Sequence, residues 1–223
     1  MKFTSGIARR LTARCVLSRI SVGAIAALTL LAATNMHALA EVIDPGAKAE
    51  TVPEPDGYRL EEYRKPVPAT LKGATVLTAD RASAMWSSGA AVFMDVYPYA
   101  PKPPNLPAGT VWREPVHFSI ENAKWLANVG YGQLSPETEV YFKGYLDKLS
   151  GGDKAKPLVF FCLRNCWMSW NASKRALAYG YTNVNWFSEG TDAWQEIGQP
   201  VAEARPEPPL DAASANGSPA ESH

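Results

Sequence analysis

Between residues 71 and 201 the chain alternates short, nearly unbroken apolar runs with longer stretches of helical spacing, which is the pattern of βα units. Ala74 to Leu77 is a first short run. Thr78 suits the N-cap of a helix with Ala82, Met85 and Trp86 on one face and Gly89 as its stop. Ala90 to Val96 is apolar except for Asp95, as expected of a strand covered on both faces of a parallel sheet. Ser135-Pro136 opens the clearest helix, where Phe142, Tyr145, Leu146 and Leu149 recur at i, i+3, i+4 and i+7 and Gly151 ends the run. Pro157 to Phe161 is another buried strand. It delivers Cys162 at its C-terminal end, the edge at which open α/β sheets bind ligands. Met168, Ala172, Ala176 and Tyr179 then mark a helix face closed by Gly180. A strand near Val184 to Trp186 and a brief helix through Trp194 and Ile197 complete the unit. The alternation predicts an α/β fold, a single domain over residues 71–201 with a mainly parallel sheet and helices on both faces.

The flanks have a different character. Lys2, Arg9, Arg10, Arg14 and Arg19 form a basic leader without an acidic residue, an apolar stretch runs from Ile20 to Ala33, and Ala38-Leu39-Ala40 has the small residues of a cleavage site. Residues 1–40 therefore read as a cleaved signal peptide and place the mature chain in the periplasm. The apolar stretch is shorter than the roughly twenty residues of a membrane span, so no membrane span is expected after cleavage. Residues 41–70, rich in Pro, Glu and Lys, read as an extended lead-in. Residues 202–223, with Leu210 as their one large apolar side chain, read as a disordered tail. Inside the domain, residues 98–110 form a Pro-rich loop that can be neither helix nor central strand. It directly follows a buried strand, which leaves two readings, a lid or docking loop and a stiff surface connection.

Charge and cysteine count narrow the function. The full chain has 22 basic and 22 acidic residues, and losing the leader removes five basic and no acidic ones, leaving 17 against 22. This acidic balance argues against nucleic acid as a partner. Cys15 leaves with the leader, so Cys162 and Cys166 are the only cysteines of the mature chain. A thiolate on a loop entering a helix faces unpaired N–H groups and the positive end of the helix dipole, which favour its charged form. Arg164 and Asn165 lie between the two cysteines, and Trp167 follows them with an aromatic face able to stack on a flat ligand. Two readings stand here, a functional thiol pair and a structural disulfide whose short loop stabilises by only about 2 kcal/mol. With two thiols and His117 as the available ligands, no metal site is expected.

The span from Leu158 to Val201 resembles the C-terminal half of a rhodanese-like domain, with an apolar strand, Cys162, a short loop, a helix ending in Gly180-Tyr181-Thr182-Asn183-Val184, and Gly198-Gln199-Pro200-Val201. Asp95 ends the earlier strand as in that family, and His117 to Ala123 stands where the family has a His-Ile-Pro-Gly-Ala stretch. Cys162 to Trp167, Ser169 to Ala172 and Trp125 to Gly132 are similar to an exported rhodanese-like family named for a CXXCW motif and associated with PQQ-dependent alcohol catabolism. The resemblance implies a five-stranded sheet and sulfur-transfer or thiol-redox chemistry, with Cys162 as nucleophile, Cys166 as resolving thiol, and Arg164, Asn165, Trp167 and Asp95 around a small sulfur or thiol substrate. It also implies an alternative, a non-catalytic module docking a periplasmic dehydrogenase-system protein with Cys162 and Cys166 as a disulfide. No cofactor is expected on the chain itself, and PQQ enters only by this association. Two arginine positions of sulfurtransferases are Trp167 and Tyr97 here, and three residues separate the cysteines instead of two. Thiosulfate turnover is therefore not expected.

Overall fold

Residues 52–100 and 102–210 are described by the computed structural model. The leader, the first part of the lead-in and residues 211–223 lie outside the described residues. Five strands, β1 (Thr75–Val76), β2 (Val92–Asp95), β4 (Lys124–Trp125), β5 (Leu158–Phe161) and β6 (Val184–Phe187), pair in parallel in the order β1-β6-β5-β2-β4. The fold is thus α/β with a parallel five-stranded sheet. β3 (His117–Ile120) and β7 (Val201–Ala204) form a separate antiparallel pair.

Helices cover both faces because the central strands are apolar on both sides. Phe93, Val159, Phe161 and Phe187 face α1 (Ala79–Ser87) and α4 (Gly190–Glu196), packing with Ala82, Ala193 and Trp194. Met94, Leu158, Phe160 and Val184 point the other way, into a core with Phe142, Tyr145 and Leu146 of α2 (Pro136–Ser150) and Met168, Ala172 and Ala176 of α3 (Trp167–Ala178). Local caps hold as expected: the Thr78 and Ser135 hydroxyls accept from the Arg81 and Thr138 amides, and Gly151 closes α2 in the left-handed region.

The strand order sets the position of the site. From β2 the chain turns towards β4 at one edge, whereas from β5 it turns towards β6 on the other side. The loops leaving β2 and β5 diverge, which opens a crevice beyond their carboxyl ends, where such sheets bind ligands. Asp95 and Phe161 are paired across this point, and Cys162 follows directly.

The expectation of disorder from residue 202 fails for residues 202–210. Val201–Ala204 pairs with His117–Ile120, the Glu207 amide donates to the Trp125 carbonyl, and Tyr141 and Tyr145 donate to the carbonyls of Glu207 and Pro208 at 2.9 and 2.7 Å. These anchors are backbone groups, so an apolar-poor composition did not reveal them. Burial first, then Tyr145 and Glu207 nearby, hold the Tyr141 hydroxyl well above the usual tyrosine pKa. A group whose folded pKa is raised contributes stability that is complete below the unfolded value of about 10 and lost as pH rises beyond it. Urea unfolding should show stability falling above about pH 10, with a shallower fall in Tyr141→Phe; identical pH slopes would contradict this anchor.

Candidate functional site

Cys162 leaves the carboxyl end of β5 and Cys166 is the N-cap of α3, and the two are joined as a disulfide with Cα atoms 6.2 Å apart. Asn165 makes the intervening loop turn at a φ of 55°, a left-handed conformation that asparagine adopts more readily than most residues. The loop is fastened to the start of α4: the Thr191 amide donates to the Cys162 carbonyl at 3.0 Å, Leu163 bridges Gly190, and the Arg164 amide donates to Asp192 at 2.8 Å. Both cysteines are 1% exposed and lie within the α2/α3 core.

A strap formed by the lead-in, residues 52–70, covers this loop. The Trp167 amide donates to the Tyr63 carbonyl at 2.9 Å, and the Trp167 and Trp170 indoles donate to the carbonyls of Pro66 and Thr70. Asn171 exchanges two hydrogen bonds with the Arg59 backbone, each 2.9 Å, and donates a third to Gly130. The Arg59 guanidinium lies over the Trp167 ring at 5.3 Å, and Tyr63 packs against the core that holds the cysteines. Removing Asn171 breaks all three bonds and strands buried backbone groups, so Asn171→Ala should cost about 3 kcal/mol. It should also speed reduction of the disulfide by dithiothreitol at least about tenfold, since roughly half or more of that loss falls on the two bonds to the strap and each ~1.4 kcal/mol of cover lost is a factor of ten in an opening equilibrium. Urea unfolding and an alkylation time course check the two parts, and an unchanged reduction rate would mean that the strap does not limit access.

The sequence-derived site residues separate into two groups. Cys162, Cys166 and Asn165 form the loop as expected. Arg164 does not turn towards the cysteines: its guanidinium pairs with Glu196 through bonds of 2.8 and 2.6 Å and lies 3.7 Å from Glu189, so its charge is committed to carboxylates on and beside α4. Trp167 is 2% exposed, edge-on to Trp170 at 5.4 Å and beneath the Arg59 guanidinium, so its ring is packed under the strap. Lys174 donates to the Pro55 and Asp56 carbonyls, another strap contact.

Asp95 is also occupied. One carboxylate oxygen accepts from the Tyr97 amide at 2.8 Å; the other accepts from the Ser119 hydroxyl at 2.6 Å and meets His117 Nε2 at 2.7 Å. It orients β3 and the start of the Pro-rich loop and does not address a substrate at Cys162. Tyr97 and Tyr99 of that loop are pinned by Trp125, which donates to the Tyr97 carbonyl, and by Asn128, which exchanges two bonds with the Tyr99 backbone. The strap residues Arg59 and Tyr63, Asn171 of α3 and the contact of Asp95 with His117 were not identified from sequence; no spacing signal marks groups that meet across 22 to 112 positions.

The architecture is that of an α/β domain carrying a dicysteine loop at the carboxyl edge of a parallel sheet. No protein-family model matches the sequence, and no curated protein matches it. Several solved structures are similar to it in part. They include a thiosulfate sulfurtransferase from Pseudomonas aeruginosa (16% identity, 60% of this chain and 21% of that one, TM-score 0.41). A rhodanese-like domain from Anabaena sp. (13%, 69% and 90%, 0.37) and a polysulfide-sulfur transferase homodimer from Wolinella succinogenes (19%, 58% and 79%, 0.37) are also similar. The chain thus spans about a fifth of the length of the first of these. At such identities and TM-scores no residue role and no argument about this chain is taken from the likeness.

Proposed function

We propose that this chain is a thiol-redox or sulfur-transfer protein that works by opening and closing the Cys162–Cys166 disulfide. The observation that carries the reading is the position of the pair, one cysteine at the end of a central strand and the other capping a helix, at the topological switch point of the sheet. Cys166 caps a 12-residue helix with no acidic residue in its first turn, so its thiolate is stabilised by the helix N-terminus. A low-pKa thiolate is the better leaving group. An incoming thiolate therefore attacks Cys162 Sγ, the disulfide breaks, and Cys166 departs as thiolate. A second thiol then displaces Cys162, so that two thiols become one disulfide and the protein gains two protons and two electrons. In the opposite direction, Cys162 thiolate attacks an external disulfide and Cys166 resolves the adduct. With persulfide donors the Cys162 thiolate attacks the outer sulfur, the donor S–S bond breaks, the donor departs as a thiolate, and the transferred sulfur remains on Cys162 as a persulfide.

The site lacks a cation for thiosulfate, since Trp167 and Tyr97 hold the two candidate positions and Arg164 is paired with Glu196. The reading accordingly favours thiols and persulfides as substrates. Its cellular setting is proposed to be the periplasm, with a protein of a PQQ-dependent alcohol-oxidising system as partner, on the motif resemblance and the leader. The described residues contain no helix long and apolar enough to cross a membrane. We propose no PQQ site here: PQQ is a flat tricarboxylate, Trp167 is packed under the strap, and the cavity beside His117 is lined by Glu114, Glu203 and Glu207.

Burial of both sulfurs favours a second reading, a docking module with a structural disulfide. Mixing the oxidised chain with glutathione, quenching with acid and mapping the peptides separates the two. The redox reading predicts an adduct on Cys162. An adduct confined to Cys166 would reverse the roles, and a disulfide that stays intact until the chain unfolds would support docking.

A further inference from the structure

We propose that the cavity beside His117 is a second ligand site, one that binds small organic ammonium ions. The cavity measures about 420 Å³ and is lined by His117, Trp125, Tyr99, Glu114, Glu203 and Glu207 among others. That volume suits a ligand with one ring and a short polar arm.

The imidazole is held as few surface histidines are. Asp95, 1% exposed, takes Nε2 at 2.7 Å while its other contacts come from Ser119 and the Tyr97 amide. The contact of Nε2 with this carboxylate fixes the orientation of the ring. The ring stacks on Tyr97 at 4.7 Å and 11° and meets Trp125 at 4.3 Å and 47°, so two aromatic neighbours hold its orientation. Its side chain remains 11% exposed. A buried carboxylate, an oriented imidazole and two aromatic neighbours make a rigid edge to the cavity, and this arrangement plays no part in the disulfide chemistry.

The lining chooses the ligand. Glu203 is offset by Arg205 at 3.6 Å and Glu207 by Lys124 at 3.5 Å. Glu114 accepts from the Tyr99 hydroxyl at 2.9 Å and, among the described residues, has no cationic partner. Arg205, the one lysine or arginine in the lining, is the partner of Glu203. The carboxylates accept N–H bonds, and the ring of Tyr99 beside them attracts positive charge. An organic ammonium satisfies all of these together, an alcohol only the acceptors, and a carboxylate is repelled.

The test uses the full mature chain and three ligands of matched shape, benzylammonium, benzyl alcohol and benzoate, titrated by calorimetry and by tryptophan fluorescence. Benzylammonium should saturate at least about tenfold more tightly than benzyl alcohol, and benzoate should not saturate. Glu114→Gln, at an exposed position, should weaken benzylammonium about fivefold or more, and His117→Gln should weaken it as well. A preference for benzoate, equal binding of all three, no saturable binding of any, or an undiminished affinity in Glu114→Gln would overturn the proposal. The redox reading is unaffected by any of these outcomes.

Discussion

With Cys166 changed to serine, a glutathione adduct at Cys162 should persist at least about 100-fold longer than in the unaltered chain, because the thiol that resolves it within the molecule is gone. In the unaltered protein the Cys162 adduct faces Cys166 four positions away, on a loop that holds the two Cα atoms 6.2 Å apart. Attack from that distance is intramolecular and needs no second encounter, whereas the serine variant must wait for a thiol from solution. Quenching with acid at intervals and measuring intact mass reads the lifetime directly. Similar lifetimes in the two proteins would mean that Cys166 does not resolve, and the thiol-pair mechanism would fail at its second step. The variant should still fold, since serine is close in size and is a better helix N-cap than cysteine.

Gly190→Ala should be the most damaging single methyl addition near the site. Gly190 opens α4 with a φ of 55°, and a Cβ there would stand 2.1 Å from the Cys162 carbonyl oxygen. The obstacle is backbone, so it cannot swing aside, and the Leu163–Gly190 bridge and the Thr191 to Cys162 hydrogen bond must shift with it. Left-handed strain alone costs an L-residue roughly 1–2 kcal/mol, and displacing the loop raises the total to about 3–4 kcal/mol. Gly151→Ala is the internal control. Its φ is 67°, but nothing lies within 4 Å of the added carbon, so only the strain is incurred. Urea unfolding should place Gly190→Ala well below Gly151→Ala. Equal losses would show that the cysteine loop is free to move away from α4.

The parts of the fold legible from sequence are those whose cause is local. β2 and β5 declared themselves as apolar runs because both their faces are covered, and α2 through the spacing of Phe142, Tyr145, Leu146 and Leu149 between a Ser-Pro start and a glycine stop. The strand-end placement of Cys162 followed from β5. The antiparallel β3–β7 pair was missed because Val201–Ala204 is short and half exposed, with neither an apolar run nor a clean alternation. The strap was legible as extended but not as a cover: its grip comes from the carbonyls of Arg59, Tyr63, Pro66 and Thr70, and carbonyls carry no sequence signature. Arg164 was placed near the cysteines by its number, yet Glu196, 32 positions on, holds its guanidinium. A charge goes to the nearest opposite charge in space, and adjacency in the chain does not decide which one that is.

These particulars also change what the cysteine pair must do to act. Reactivity cannot come from exposure, since the strap and the core bury both sulfurs; it must come from the ease with which Cys166 leaves as a thiolate and from local opening of residues 52–70. The most direct measurement is the reduction potential of the Cys162–Cys166 disulfide in the folded mature chain, from equilibration in graded dithiothreitol buffers followed by acid quench and intact mass. A redox-active pair should titrate above about −300 mV with the fold intact at every point. A potential below that value, or reduction only together with unfolding, would make the disulfide a structural staple and contradict the account.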